Sequence, residues 1–95
     1  MTNYRLSNQA KEDLIRIHQY GVKKFGMKQA DKYFTTFFDH FELISQQPYS
    51  FKSVDQIKPG YRRCVCGVDS IFYRINTNVV EIMAIVGRQD LSDIF

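Results

Sequence analysis

The sequence predicts an α+β fold in the order β-α-α-β-β-β, with an antiparallel sheet packed against a helical hairpin. Two stretches of helical apolar period stand back to back, separated by Gly26. Three short β-rich segments follow, divided by the turn-like breaks "GVD" and "NTN". The chain is 95 residues long, with enough Phe, Tyr, Ile and Val for one modest core. Residues 1–95 are therefore expected to form a single domain.

The first element, "NYRLS" (3–7), reads as a short strand with Tyr4 and Leu6 on one side and Arg5 on the other. Ser7 is a suitable N-cap for the helix that follows. Glu12 and Asp13 are expected near its start, where the positive end of the dipole favours acids. Ala10, Leu14, Ile17 and Gly21 recur at helical spacing, widened by Ile15, Val22 and Phe25. Lys23 and Lys24 suit the C-terminal end, and Gly26 is expected to stop the helix in the left-handed conformation. The second helix carries the strongest stripe: Met27, Ala30, Phe34, Phe37, Phe41 and Ile44, flanked by Tyr33 and Phe38. It ends at "QQP", because Pro48 biases the preceding residue away from helix. So short a connector predicts an antiparallel helix pair, its Phe-Ile stripe in the core.

Residues 48–60, rich in Pro, Ser and Gly, read as loop. Strands are expected over 61–67, 70–76 and 79–87. In the last, Val80, Ile82, Ala84 and Val86 alternate with Glu81, Met83 and Ile85. Both sets are largely apolar, so this strand is expected to be central.

A net charge of +3 and a pI near 9.0 suit an acidic partner or nucleic acid without establishing either. No run approaches the ~20 apolar residues that span a bilayer. The N-terminal stretch lacks the apolar region of a secretory signal, so a cytoplasmic location with reduced thiols is expected.

"PGYRRCVCGVDSIFYRI" (59–75) raises the question of chemistry. Zinc commonly takes two short-spaced ligand pairs, and this chain offers one C-x-C. Alternate strand residues lie about 6.5–7 Å apart, too far for an unstrained disulfide. Cys64 and Cys66 therefore read as small apolar residues on one side of a strand. His18 and His40 fall on separate predicted helices, and Asp13, Asp31 and Asp39 read as solvated helix positions. The sequence has no H-E-x-x-H, P-loop or Gly-rich phosphate cradle, and no cofactor is expected. Arg62, Arg63, Arg74 and Arg88 lie in or beside the three C-terminal strands, where they can gather on one patch. Guanidinium suits phosphate or carboxylate. Lys52 and Lys58 can extend that patch, and the bland alternative is that these are solvated strand positions.

Taken together, the segments resemble the ParE branch of the RelE/ParE toxins of bacterial toxin–antitoxin modules, over almost the whole chain. "YRLSNQAKEDLIRIHQYGVKKFG" is similar to the family's strand, Ser and first helix. "QADKYFTTFFDHFELISQQP" is similar to its second helix, "IKPGYRRCVCGVDSIFYRI" to its G-x-R-R and following strands, and "VEIMAIVGRQD" to its last strand and tail. The resemblance implies a RelE/ParE-like α+β toxin neutralised by a cognate, ParD-like antitoxin in a hetero-oligomer. RelE-like members cut mRNA in the ribosome with basic residues and often a C-terminal tyrosine. ParE-like members poison DNA gyrase without chemistry of their own.

Arg62 or Arg63 occupies the strand position where the nuclease branch keeps an Arg. In the tail, however, Gln89 stands in place of a cation and Phe95 in place of the phenol. Phenylalanine cannot exchange a proton. The resemblance thus implies a gyrase-binding toxin, with Arg62, Arg63, Arg88 and Phe95 as candidate target contacts. A ribosome-dependent mRNA endoribonuclease is the alternative, and a module that only binds antitoxin is a third. Ile15, Val22 and Phe38, on the outer edges of the helix pair, are candidate antitoxin contacts, with lateral core as their other reading.

Overall fold

The computed structural model describes residues 3–87. Its elements are β1 (Asn3–Leu6), α1 (Asn8–Phe25), α2 (Met27–Gln46), β2 (Lys52–Ser53), β3 (Tyr61–Cys66), β4 (Asp69–Asn76) and β5 (Val79–Gly87). They make one sheet in the order β1-β5-β4-β3-β2, with both helices against one face. The sheet is mixed rather than antiparallel: β1 runs parallel to β5, pairing Asn3 with Val79 through Leu6 with Ile82. Residue patterning carries no strand direction, and this pairing joins the two ends of the chain. β2 lies inside the expected loop and pairs Lys52 with Arg63 and Ser53 with Arg62. Two residues are too few to show a period.

The Ser7 hydroxyl accepts from Ala10 N at 3.0 Å, capping α1, and donates to Met83 O at 2.9 Å. The first turn of α1 holds no acid. Asp13 lies further along and is buried, contrary to the reading of it as a solvated position. Gly26 has φ +93° and ψ 164°, so it ends α1 with positive φ but in an extended conformation, not the left-handed helical one. The helices close against each other where a Cβ on Gly21 would lie 3.2 Å from that of Ala30.

The core between helices and sheet takes Leu14 and Ile17 from α1 and Phe37, Phe41 and Ile44 from α2. From the sheet it takes Cys64, Cys66, Ile71, Tyr73, Val80, Ile82 and Ile85. A bulge breaks the alternation of β5. Phe72 pairs with Ala84 but Tyr73 pairs with Ile82, leaving Met83 as an extra residue. Beyond it Ile85 faces the helices, while Met83 and Val86 join Val54, Tyr61 and Phe72 in a second cluster. The alternation expected from sequence therefore changes hand within the strand.

Candidate binding surfaces of the sheet and helices

The C-terminal cations divide between the two faces of the sheet. Arg62 and Arg63 are consecutive in β3 and so point to opposite sides. Arg62 turns toward the helix side of the edge. Its Nη1 donates to Phe51 O at 2.7 Å, and its guanidinium lies 5.2 Å from the centroid of the Tyr49 ring. Arg63 donates from Nε to Ser70 Oγ at 2.8 Å on β4, sharing its face with Lys52, its cross-strand partner.

Arg74 lies on the open face with Glu81, to which its Nε donates at 2.6 Å. Arg5 of β1 reaches the other oxygen of the same carboxylate at 2.7 Å. The hydrogen bond from Arg74, then that from Arg5, holds the Glu81 carboxyl below its ordinary range, and Glu81 raises Arg74 in turn. Arg74 is thus committed to an ion-pair ladder, and the expected single patch of arginines does not form. Arg5 was invisible as a member because sequence did not show β1 beside β5. Arg88 and Phe95 lie outside the described residues.

Both thiols face the core and are unpaired. Burial, with Cys66 adding to it, pushes the Cys64 thiol up to about 11, and burial also raises Cys66. Neither has thiolate character at neutral pH. His18 meets Asp31 at 2.7 Å between the helices, and His40 Nδ1 sits 2.7 Å from Thr36 O within α2. Among the described residues no group of three or more His, Cys, Asp and Glu is placed to hold a metal ion, and no helix is long and apolar enough to cross a membrane.

Of the helix-pair candidates, Ile15 is exposed at 56%, and Val22 and Phe38 are half-buried. Phe38 packs its ring on Phe34 and Phe41, at 5.2 and 5.3 Å between centroids. Lateral core therefore describes Phe38 best, and Ile15 is the most accessible of the three.

Sequence reasoning missed a groove of about 580 Å³ at the end of the helix pair where α1 turns into α2. Exposed Tyr20 and Phe25 of α1, half-buried Phe34 of α2 and exposed Val68 of the β3–β4 turn form its apolar lining, with Arg16 and Lys24 beside them. Tyr33 fixes the turn to α2: its hydroxyl lies 2.8 Å from Cys66 O and 2.7 Å from Asp69 Oδ2. Burial foremost, then Asp69, raises this phenol and keeps it protonated. The signal in sequence was Tyr20 and Phe25, large rings at the end of the helix stripe. What they would line depended on a turn some forty residues away.

The model of the ParE toxin of the type II toxin–antitoxin system, parDE, matches residues 4–91. Among curated proteins, Toxin ParE1 of Caulobacter vibrioides is 35% identical over 79 residues, covering 83% of this chain and 82% of that protein. Toxin ParE1 of Mycobacterium tuberculosis is 28% identical over 74 residues, covering 78% and 76%. Among solved structures, a chain of the chromosomal ParDE TA system from P. aeruginosa superposes with a TM-score of 0.82 at 19% identity, over 92% of this chain and 96% of its own. YafQ from E. coli shares the fold more loosely, with a TM-score of 0.54 at 15% identity, over 96% and 98%.

Proposed function

The chain belongs to the ParE toxin family, and from that premise we propose that it disables DNA gyrase by binding rather than by catalysis. It is the toxin of a type II toxin–antitoxin module, and its module partner is an antitoxin. We take the compartment to be the cytoplasm and the antitoxin to be ParD-like.

The observation that carries the binding reading is the placement of the groups able to move a proton. The two histidines are on the helices, held to Asp31 and Thr36, and the two thiols face the core with their protons retained. On the sheet itself, Arg74 and Arg5 are tied to Glu81, and Arg63 to Ser70. Cations in fixed positions recognise an anionic or polar surface well and have little to offer as acids or bases near neutral pH. Arg62, Arg63, Arg88 and Phe95 remain the proposed target contacts. Binding that favours the cleaved-DNA state of gyrase would shift its population without making or breaking a bond.

For the antitoxin we propose an amphipathic segment along the helix pair, over Ile15 and Val22 and past Phe38, continuing into the groove at Tyr20 and Phe25. The neutralised toxin is then a hetero-oligomer.

Purified gyrase, a plasmid substrate and the full chain test the target. Loss of supercoiling with accumulated cleaved plasmid is expected. An unaffected topoisomerase, together with codon-specific cutting of mRNA in a translating extract, would replace this reading with the ribosome-dependent endoribonuclease.

A further inference from the structure

We propose that the β2–β3 edge binds single-stranded DNA that crosses it from one face to the other, with Tyr49 stacking a base beside Arg62 on the helix side and Lys52 and Arg63 holding phosphate on the open face. The biological use of this contact rests on the gyrase reading, since a gyrase held in its cleavage state presents opened DNA. The preference for DNA over RNA rests on that reading as well, whereas the binding of a single strand by stacking and phosphate contact does not.

Tyr49 is 70% exposed, yet the backbone on both sides of it is pinned. The Tyr73 hydroxyl, from the core, donates to Pro48 O at 2.6 Å, and Arg62 donates to Phe51 O at 2.7 Å. Phe51 packs edge-on against the Tyr73 ring at 6.4 Å. A ring exposed to this degree contributes little to burial, and the bonds that satisfy the buried Tyr73 hydroxyl and Arg62 hold it out at the edge in a fixed place. Arg62 lies 5.2 Å from the ring centroid, leaving much of the ring open to a base. Stacking on an aromatic beside an arginine is the sequence-tolerant way proteins hold single strands.

The charges agree with this. Residues 49–63 contain Lys52, Lys58, Arg62 and Arg63 against the single carboxylate of Asp55, which accepts from Gly60 N at 2.8 Å. Lys52 and Arg63 stand directly opposite each other across β2 and β3. Like charges opposed in this way are unfavourable, and a phosphate bound across them would relieve the repulsion. A shallow pocket of about 310 Å³ beside Tyr49, Ser53, Arg62 and Ile75 gives room for a base edge. A duplex offers phosphates but no unstacked base, so the aromatic element selects single strands.

The test is fluorescence anisotropy of a labelled thymidine oligonucleotide with the full chain, run beside the matching duplex and a uridine RNA oligonucleotide. Binding is expected to favour the single-stranded DNA and to weaken as salt rises from about 50 to 200 mM. Tyr49→Ala should weaken it on the order of 10-fold with an unchanged melting temperature, and Tyr49→Phe should restore it. Lys52→Gln should lower the salt slope by about 0.7, whereas Lys11→Gln, on the far side of α1, should not alter it specifically. No binding at low salt, equal binding by Tyr49→Ala, or RNA or duplex bound as tightly as single-stranded DNA would each overturn the inference. A parallel supercoiling assay separates the two readings. Gyrase poisoned by a toxin that ignores oligonucleotides leaves the target standing and removes the ledge, while untouched gyrase with intact Tyr49-dependent binding does the reverse.

Discussion

At one edge of the sheet β5 continues past β1, and at the other β3 continues past β2. The two overhangs are treated differently. Beyond the last β1 pair, Leu6 with Ile82, helix α1 supplies what a neighbouring strand would. Ser7 N and Oγ donate to Ile82 O and Met83 O, Asp13 Oδ2 accepts from Ile85 N at 3.0 Å, and Arg16 Nη2 reaches Ile85 O at 3.3 Å. Three side chains thus imitate a strand, leaving little for a foreign strand to pair with. The β3 edge carries a two-residue partner and a pair of facing cations instead. The difference teaches that one edge is closed internally by polar groups while the other is left charged, which suits it to the recognition proposed above.

The comparison breaks most sharply at Asp13. Asp13→Ala leaves the buried Ile85 N–H without an acceptor and also releases Gln9 and Arg16. A loss of about 1.5–3 kcal/mol is expected from urea unfolding, with Asp13→Asn recovering part of it. A change under about 0.5 kcal/mol would mean that α1 does not close that edge.

The turn that ends the β3 edge is next. Gly67 has φ +60°, and a Cβ there would lie 2.6 Å from Tyr33 Oη. Gly67→Ala should cost roughly 1–3 kcal/mol. In the Tyr33→Ala background the additional cost should shrink, because the hydroxyl and the ring carbons at 2.7 and 3.0 Å are then all gone. Additive losses in this double-mutant cycle would refute the contact.

Acid should act on the β1–β5 side through Glu81. Its carboxyl is held below the ordinary 4.5 by Arg74 and Arg5. A depressed folded-state value means that the folded protein binds fewer protons there than the unfolded chain. The stabilisation is therefore complete above about pH 4.5 and lost as pH falls through the lower folded value. Glu81→Gln should flatten that part of the stability–pH curve, and parallel curves for both proteins would remove Glu81 as a cause.

The smallest effect is expected at the charged edge. Lys52→Gln removes a like-charge opposition and should be neutral or raise stability by up to about 0.5 kcal/mol in thermal melts. A clear loss would show that Lys52 serves folding after all.

Much of the frame was legible in residues. The helical stripe from Met27 to Ile44, the Ser7 cap and the two tight turns are local signals, written in side-chain period and turn chemistry. The β4–β5 turn confirms "NTN" in detail, with Thr77 at φ 49° and Asn78 at φ 65°, the positive pair a two-residue hairpin loop requires. The burial of Cys64 and Cys66 was also readable, because the absence of ligand partners left packing as their use. Asp13 was misread for the opposite reason: a carboxylate on a helix gives no local sign that a strand's unpaired N–H waits behind it. The groove beside Tyr20 and Phe25 and the sharing of Glu81 between two arginines were equally silent.

The sequence by itself determined where the two helices, the four longer strands and the two tight turns lie, and which residues are apolar enough to fill the space between them. Tertiary structure alone decided the direction of β1, the switch of faces at Met83, and which arginines are tied down and which stand at an edge. Period and turn signals act over a few residues along the chain. Pairing, bulges and ion-pair geometry depend on which distant segments meet, and that is set by the burial of the whole core.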